Sequence, residues 1–195
     1  MKRKRLLPQE RKKEIKKAAA RIFKEKGFSA TTMEDVIAES GLSTGGVYHY
    51  YKNTADILYD IMMMGNEHRN EVIMEFLSAN SNLSKKDIIV ELLTDKILDR
   101  NEYKSLYAMF LLECKKNEKY RKLYERLRKD TCENYKKPAE KLGIDVLKLF
   151  DSPEFEMFMN GTILAIEYLD NGSVLSQKRQ LIREFITCFV DKHLI

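Results

Sequence analysis

Residues 32–54 read TMEDVIAESGLSTGGVYHYYKNT, and this stretch decides the fold of the N-terminal part of the chain. Thr32 can cap a helix because an acidic residue, Asp35, follows three places later, and Gly41 is placed to end that short helix. Ser43 and Thr44 then offer caps for another short helix that ends near residue 50. Two short helices joined by a tight glycine-containing turn present the second helix to the major groove of DNA. The stretch therefore predicts a helix-turn-helix.

The second of these helices carries a pair of glycines, Gly45 and Gly46, each of which costs about 1 kcal/mol relative to Ala in a helix. That cost indicates a close approach of the backbone to a partner such as DNA. The polar and aromatic residues that follow can donate to phosphate oxygens or contact base edges, and a lysine beyond them can add a salt-sensitive phosphate contact. The predicted DNA-binding residues are Thr32, Thr44, Gly45, Gly46, Tyr48, His49, Tyr50 and Lys52. The alternative for Tyr50 is a packing role.

The rest of the chain reads as one helix after another, with few glycines or prolines to interrupt them. The fold class is all-α, with about nine helices. A three-helix, helix-turn-helix head over residues 1–53 precedes an effector-binding and dimerisation body over residues 54–195. Apolar spacing and capping signals predict helices at 9–26, 54–77, 103–115 and 118–142, a helix opened by Ser84, a short segment at 144–150, a helix opened by Pro153 and a last helix after a turn at 170–172. Pro138 is expected to bend or break the helix that contains it.

Charge is concentrated at one end of the chain. Residues 1–55 hold 13 Lys and Arg against 6 Asp and Glu, although the whole chain carries a net charge of only +5. A basic head of this kind is typical of a phosphate-binding surface, and a basic soluble helix is the alternative. Lys2 to Arg5 are either an arm that reaches a neighbouring groove or a frayed terminus. Dispersed cysteines and histidines predict no metal or cofactor, and no segment is apolar enough to span a membrane, so we expect a cytoplasmic protein.

Between about residues 10 and 60, the sequence resembles the TetR family of bacterial regulators. The resemblance rests on Phe23 to Phe28, on Thr31-Thr32, on Gly41-Leu42-Ser43 and on Thr44 to Tyr51. It implies a homodimer that binds a palindromic double-stranded DNA operator, usually as a repressor. It also implies that a small molecule entering the body separates the two heads. All the predicted DNA-binding residues except Lys52 fall where the family contacts DNA. Thr54 stands where the family usually has a lysine, which leaves open whether Lys52 replaces it.

The body is rich in methionines and aromatic residues, which can line an adaptable apolar pocket or form an ordinary helix core. The candidate ligand-binding residues are Met62, Tyr107, Phe110, Glu113 and Phe158. Glu113 could pair with a cationic ligand or face water, and we expect a mostly apolar effector. The last two helices have broad apolar surfaces that fit either an interface with a second copy or an internal core. The candidate interface residues are Phe155, Met159, Ile166, Ile182, Phe185 and Phe189.

Three classes of function follow from these patterns. The first is a ligand-responsive transcriptional regulator. The second is a DNA-binding protein of the same fold that senses no small molecule. It is controlled by a protein partner, or it acts as an activator or as an architectural factor. The third is an enzyme, which the sequence disfavours because it shows no nucleophile–base pair, metal cluster or phosphate-cradling glycine loop.

Overall fold

The computed structural model of the protein describes residues 7–143, 145, 148, 151–169, 174 and 177–193. Within these residues the chain is all-α, as predicted, and forms nine helices. The helices are α1 (Pro8–Lys26), α2 (Met33–Ser40), α3 (Thr44–Tyr48), α4 (Thr54–Ala79), α5 (Lys85–Leu98), α6 (Glu102–Lys116), α7 (Glu118–Leu142), α8 (Pro153–Tyr168) and α9 (Arg179–His193). The basic segment at 2–5 and the turn at 170–172 lie outside the described residues, as does most of the segment at 144–150.

The first three helices form the head around one apolar core. Ile15, Ala19 and Phe23 lie on the buried face of α1, at the spacing that brings helical residues together. The predicted cap of α2 is confirmed, since the Thr32 hydroxyl accepts a hydrogen bond from the Asp35 amide at 3.1 Å. Gly41 ends α2 in the left-handed conformation, with φ at 60°, which glycine adopts without steric cost. The turn between α2 and α3 is therefore built as the sequence predicts.

Helix α3 is shorter than predicted, because it ends at Tyr48 rather than near residue 50. Ser43 caps it, with its hydroxyl accepting from the Gly46 amide at 3.2 Å. Val47 is fully buried and Tyr51 is almost so, which places both in the head core. This short helix is thus held by one cap and one side chain, and the rest of its surface faces outward.

Helix α4 belongs to both parts of the molecule. It begins at the predicted Asn53 cap and runs to Ala79, two residues beyond its predicted end. Its first turns contribute Ile57, Leu58 and Ile61 to the same core as α1 and α3. The domain boundary between residues 53 and 54 stays a prediction. Helix α4 itself extends without interruption from the head core into the body.

The body contains two hydrophobic clusters. The first continues from the head core into α6 and α7 through Leu106, Phe110, Tyr120 and Leu127. The second joins α5, α8 and α9 through ten buried apolar residues, among them Ile97 and Ile186. Ion pairs fasten α9 to α5, with Arg183 2.6 Å from Glu91 and Arg179 2.6 Å from Asp95.

Pro138 does not break α7, which continues to Leu142. A proline cannot donate to the carbonyl four residues earlier, so the Asn134 carbonyl loses its helical partner. The Asn70 side chain of α4 donates to that carbonyl at 3.1 Å. The neighbouring helix thus supplies the missing hydrogen bond. None of the helices in the described ranges has the length and apolar character needed to cross a bilayer.

Candidate DNA-binding head and effector cavity

The N-terminal end of α3 is the most open part of the head. Thr44 and Gly45 are exposed, and so are Tyr48 and His49 one turn later. The Tyr48 side chain is 42% exposed although it is a large aromatic residue. These side chains lie on a helix that is fixed from behind by Val47. The head therefore presents a rigid polar and aromatic edge to the outside.

Packing within the chain does not require a glycine at position 45 of α3. A Cβ atom added there would meet nothing within 4 Å, whereas one at Gly46 would lie 3.0 Å from the Ser43 hydroxyl. Neither residue has a positive φ angle. The fold therefore tolerates a side chain at Gly45, and the absence of one leaves room for an outside partner.

The two ends of the predicted contact set lie in different surroundings. The Thr32 hydroxyl is held in the cap of α2, where it also donates to the Asp35 carboxylate at 3.0 Å. Lys26 donates to Asp35 at 2.6 Å, and this bond, together with those from Thr32, lowers the pKa of Asp35 to about 2. Lys52 is exposed beyond α3. Thr32 is thus engaged in the cap of α2, while Lys52 forms no ion pair with the residues that the structure describes.

His49 and Tyr50 form an aromatic pair, with ring centroids 4.8 Å apart in an edge-to-face arrangement. Tyr50 is half-buried and packs on the head core, so it serves as a support for the exposed His49. Behind them, Tyr51 donates to the Asp60 carboxylate at 2.9 Å, and Lys12 lies 3.3 Å from the same carboxylate. Burial and the Asp60 bond raise the pKa of Tyr51. Sequence reasoning missed this link between α1 and α4, because its members are distant in sequence.

Two of the five candidate ligand-binding residues instead join the head to the body. Phe110 is fully buried in the cluster that contains Phe28 of the head. Glu113 accepts a hydrogen bond from Ser29 at 2.6 Å, next to the same contact. The side of α6 that carries Phe110 and Glu113 thus packs against the head. For this reason neither side chain faces the interior of the body.

A cavity of about 280 Å³ lies in the body between the two hydrophobic clusters, bounded by α4 to α8. Of the candidate ligand-binding residues, Met62 and Tyr107 line it and Phe158 does not. Phe155 and Met159, which the sequence suggested for an interface, also line it. The walls bring together side chains of both clusters, including Leu127 from the first and Leu92 from the second.

One side of the cavity carries a chain of polar side chains that the sequence did not reveal. Tyr107 donates to the Asn160 oxygen at 3.0 Å, and the Asn160 amide donates to the Tyr124 oxygen at 3.0 Å. Tyr124 donates in turn to Glu156, which lies 3.6 Å from Arg128. Burial and the Glu156 bond raise the pKa of Tyr124 to about 12. These groups satisfy one another.

Another part of the cavity wall carries three cations that have no carboxylate as a hydrogen-bond partner among the described residues. Arg69 donates to the Leu92 carbonyl, and Lys104 donates to the carbonyls of Ile97 and Asp99. Lys96 lines the cavity as well, and its ammonium has neither an ion pair nor a hydrogen bond among the residues that the structure describes. Desolvation, followed by the positive charge of Arg69, lowers the pKa of Lys96 to about 8.

The candidate interface residues of the last two helices differ in their exposure to solvent. Met159, Ile166 and Ile182 are buried in the core of their own chain, and only Phe185 is strongly exposed, at 57%. Phe155 and Phe189 are half-buried against each other, with ring centroids 5.0 Å apart. The exposed apolar surface of α8 and α9 is instead formed by Met157, Tyr168, Leu181 and Phe185, which we call the outer face.

Two curated relatives match parts of the chain. It is 49% identical over 55 residues to the uncharacterized HTH-type transcriptional regulator YfiR of Bacillus subtilis, covering 28% of this chain and 27% of that protein. It is 32% identical over 111 residues to the uncharacterized HTH-type transcriptional regulator YerO of the same organism, covering 48% of this chain and 38% of that protein. The matched part thus spans well under half of the length of either relative.

The whole fold has a counterpart among solved structures. The transcriptional regulator FadR from Bacillus subtilis in complex with stearoyl-CoA superposes with a TM-score of 0.63 at 15% identity, covering 90% of this chain and 97% of that chain. Fold and head together define an all-α helix-turn-helix protein with a cavity in its body. Residues 15–61 match the family model "Bacterial regulatory proteins, tetR family". The match covers α1 to the start of α4, so the head is similar to that of the tetR family of bacterial regulatory proteins.

Proposed function

We propose that the protein is a sequence-specific DNA-binding transcriptional regulator whose α3 enters the major groove of an operator. The observation that carries this proposal is the exposed N-terminal end of α3, where the fold has room for a side chain at position 45 but the residue is a glycine. A backbone without a side chain can approach DNA closely, and Tyr48 and His49 extend the same edge. A protein that binds chromosomal DNA is expected in the cytoplasm of a bacterium.

Variants of α3 test this proposal with duplex DNA that the protein selects from a random pool. Tyr48→Phe removes a hydroxyl that would contact phosphate, so affinity should fall to a similar extent for many sequences. Thr44→Val removes a hydroxyl that would read a base edge, so sequence preference should change. The affinity of the wild-type protein for duplex DNA should fall steeply as the salt concentration rises, because phosphate contacts release counterions. A flat salt dependence, or equal effects of both variants, contradicts the proposed roles.

We further propose that two copies associate through the outer face. Met157 is 74% exposed and Phe185 is 57% exposed, and contact with a second copy would remove both side chains from water. Phe185→Glu should shift the protein from dimer to monomer in sedimentation equilibrium. Leu112→Glu is the control, since Leu112 is 42% exposed on α6. A wild-type protein that sediments as a monomer contradicts the proposed interface.

A small-molecule effector is the proposed control of DNA binding. The cavity lies between the cluster that continues into the head and the cluster beneath the outer face. A ligand that fills it contacts α4, whose first turns form part of the head core. The structure of FadR contains stearoyl-CoA, which supports an effector in a body of this fold. A ligand that raises the melting temperature and lowers DNA affinity supports repression with release.

The alternative is a regulator of the same fold under a protein partner, or one that acts as an activator or architectural factor. It predicts that compounds filling the cavity leave DNA affinity unchanged. Measuring DNA affinity with and without each stabilising compound separates the two mechanisms.

A further inference from the structure

The two polar sides of the cavity differ in how well their charges are satisfied. Four cations and two carboxylates line the cavity. Glu156 is paired with Tyr124 and Arg128, and Lys104 is held by two backbone carbonyls at the end of α5. Asp99 accepts a hydrogen bond from Asn101 at 2.7 Å. The remaining two cations, Arg69 and Lys96, have no carboxylate within ion-pair distance in the described part of the chain.

Lys96 is the less satisfied of the two. Arg69 donates one N–H to the Leu92 carbonyl, and its other donors have no partner among the described residues. The Lys96 ammonium has no partner among the described residues, and Arg69 is the charged group that acts on it. Leaving a charge unpaired and withdrawn from bulk water is costly. Lys96 is half-buried, so part of this cost remains, and a methionine of similar length would avoid it.

The cavity surface around these cations is apolar. Ile73 of α4, Leu93 of α5 and Met159 of α8 line it together with the satisfied polar groups. A ligand that fills this space therefore meets an apolar wall and two adjacent, incompletely satisfied cations. A neutral hydrocarbon would leave the cations unpaired, and a cation would be repelled by them.

We propose that the cavity binds an amphipathic anion, with its acid group on Lys96 and Arg69 and its apolar body along α5 and α8. This inference rests on the proposed effector function and refines the expected effector from a mostly apolar compound to one with an acid group. An anion pairs with both cations through charge-assisted hydrogen bonds, which are stronger than neutral ones. Binding thus removes a cost that the ligand-free protein carries.

The test compares straight-chain carboxylates with the primary amides of the same length, using hexanoate, octanoate and decanoate as probes. Each pair shares its apolar part and differs in charge. The proposal expects at least one carboxylate to bind the full-length protein about tenfold more tightly than its amide, by calorimetry or thermal shift. Equal affinity within every pair, or no binding by any probe, overturns it.

Two variants of the cationic side and one matched control sharpen the test. Lys96→Met should abolish the preference for the carboxylate and also raise the melting temperature of the ligand-free protein. Lys96→Gln should abolish the same preference while keeping a polar group. Lys129→Met removes an equal charge from an exposed position of α7 and should change neither property. A carboxylate preference that survives in both Lys96 variants overturns the assignment.

DNA binding by the same samples distinguishes the inference from the function on which it rests. If the protein selects a specific duplex but shows no preference for carboxylates, the anion assignment fails and the regulator stands. If it selects no duplex, the proposed function fails whatever the cavity binds.

Discussion

Phe28 of the head packs against Phe110 of α6, with the ring centroids 6.4 Å apart and the ring planes at 80°. Both side chains are at most 1% exposed. Tyr120 of α7 completes the cluster, with its ring centroid 6.2 Å from that of Phe28. The head is therefore anchored to α6 and α7 as well as to α4, so a change in the body can reach the head by two routes.

Truncation of Phe28 tests how much this anchor contributes. Phe28→Ala should lower the free energy of unfolding by about 3–5 kcal/mol, because it removes a fully buried aromatic ring. Urea denaturation followed by circular dichroism measures the change. Leu112→Ala, at an exposed position of α6, should stay within about 0.5 kcal/mol of the wild type. A Phe28→Ala protein as stable as the Leu112→Ala control would show that the head is not packed on the body.

Gly45 provides a test in which stability and function change in opposite directions. Gly45→Ala should raise the free energy of unfolding by up to about 1 kcal/mol, because alanine favours the helix and the structure leaves room for its methyl group. The same methyl group should weaken DNA binding, because it stands where α3 approaches the groove. Thermal melting and DNA titration at one salt concentration measure the two effects.

The control for Gly45→Ala is Ser78→Ala, an exposed position near the far end of α4. It replaces one helical residue by alanine without touching the head, so DNA affinity should be unchanged. If Gly45→Ala binds DNA as tightly as the wild type, α3 does not approach DNA through its glycines.

The cap of α2 makes one contribution to stability dependent on pH. The Lys26 hydrogen bond and the bonds from Thr32 hold the pKa of Asp35 at about 2, while in the unfolded chain it lies near its ordinary value of 3.8. A carboxylate with a lowered pKa stabilises the folded state above the unfolded value, and this stabilisation is lost as the pH falls from about 4 to about 2. The melting temperatures of wild type and Asp35→Asn should therefore differ at pH 6 and converge toward pH 2. Glu34→Gln, in the same turn, controls for the loss of one charge, and a difference that persists at pH 2 would contradict this role of Asp35.

Asn70 and Pro138 should be energetically coupled through the Asn134 carbonyl. Pro138→Ala restores a helical N–H donor to that carbonyl, so the Asn70 bond becomes dispensable. Asn70→Ala should therefore cost more in the wild type than in the Pro138→Ala background, with a coupling energy of about 1 kcal/mol. The Asn70 oxygen accepts no hydrogen bond among the described residues, so its loss carries no penalty of its own. Additive free energies in the double-mutant cycle would mean that the Asn70 bond does not compensate for the proline.

The helix-turn-helix could be predicted because its signals are local. The Thr32 cap, the Gly41 terminus and the Ser43 cap each act within four residues, and all three are found in the structure. The resemblance to the TetR family rested on the same stretch, and the family match covers residues 15–61. Sequence reasoning therefore succeeded where neighbouring residues determine the geometry.

The body was harder to predict because its contacts join distant segments. Helix α8 is apolar on most sides, and the spacing of its residues does not say which side packs inward. Met159 and Ile166 proved to be buried in their own chain, while Met157 is exposed. The proximity of Lys96 to Arg69 in the cavity wall depends on how α4 and α5 pack, which no local pattern encodes.

The most direct test of the central claim is selection of bound duplexes from a random DNA pool by the purified full-length protein at moderate salt. The account predicts recovery of a palindrome whose half-sites lie about one helical turn apart or slightly more, because two heads related by a two-fold axis each read one half-site. A well-folded protein that enriches no sequence, or that enriches a single half-site without symmetry, would contradict a dimeric operator-binding regulator.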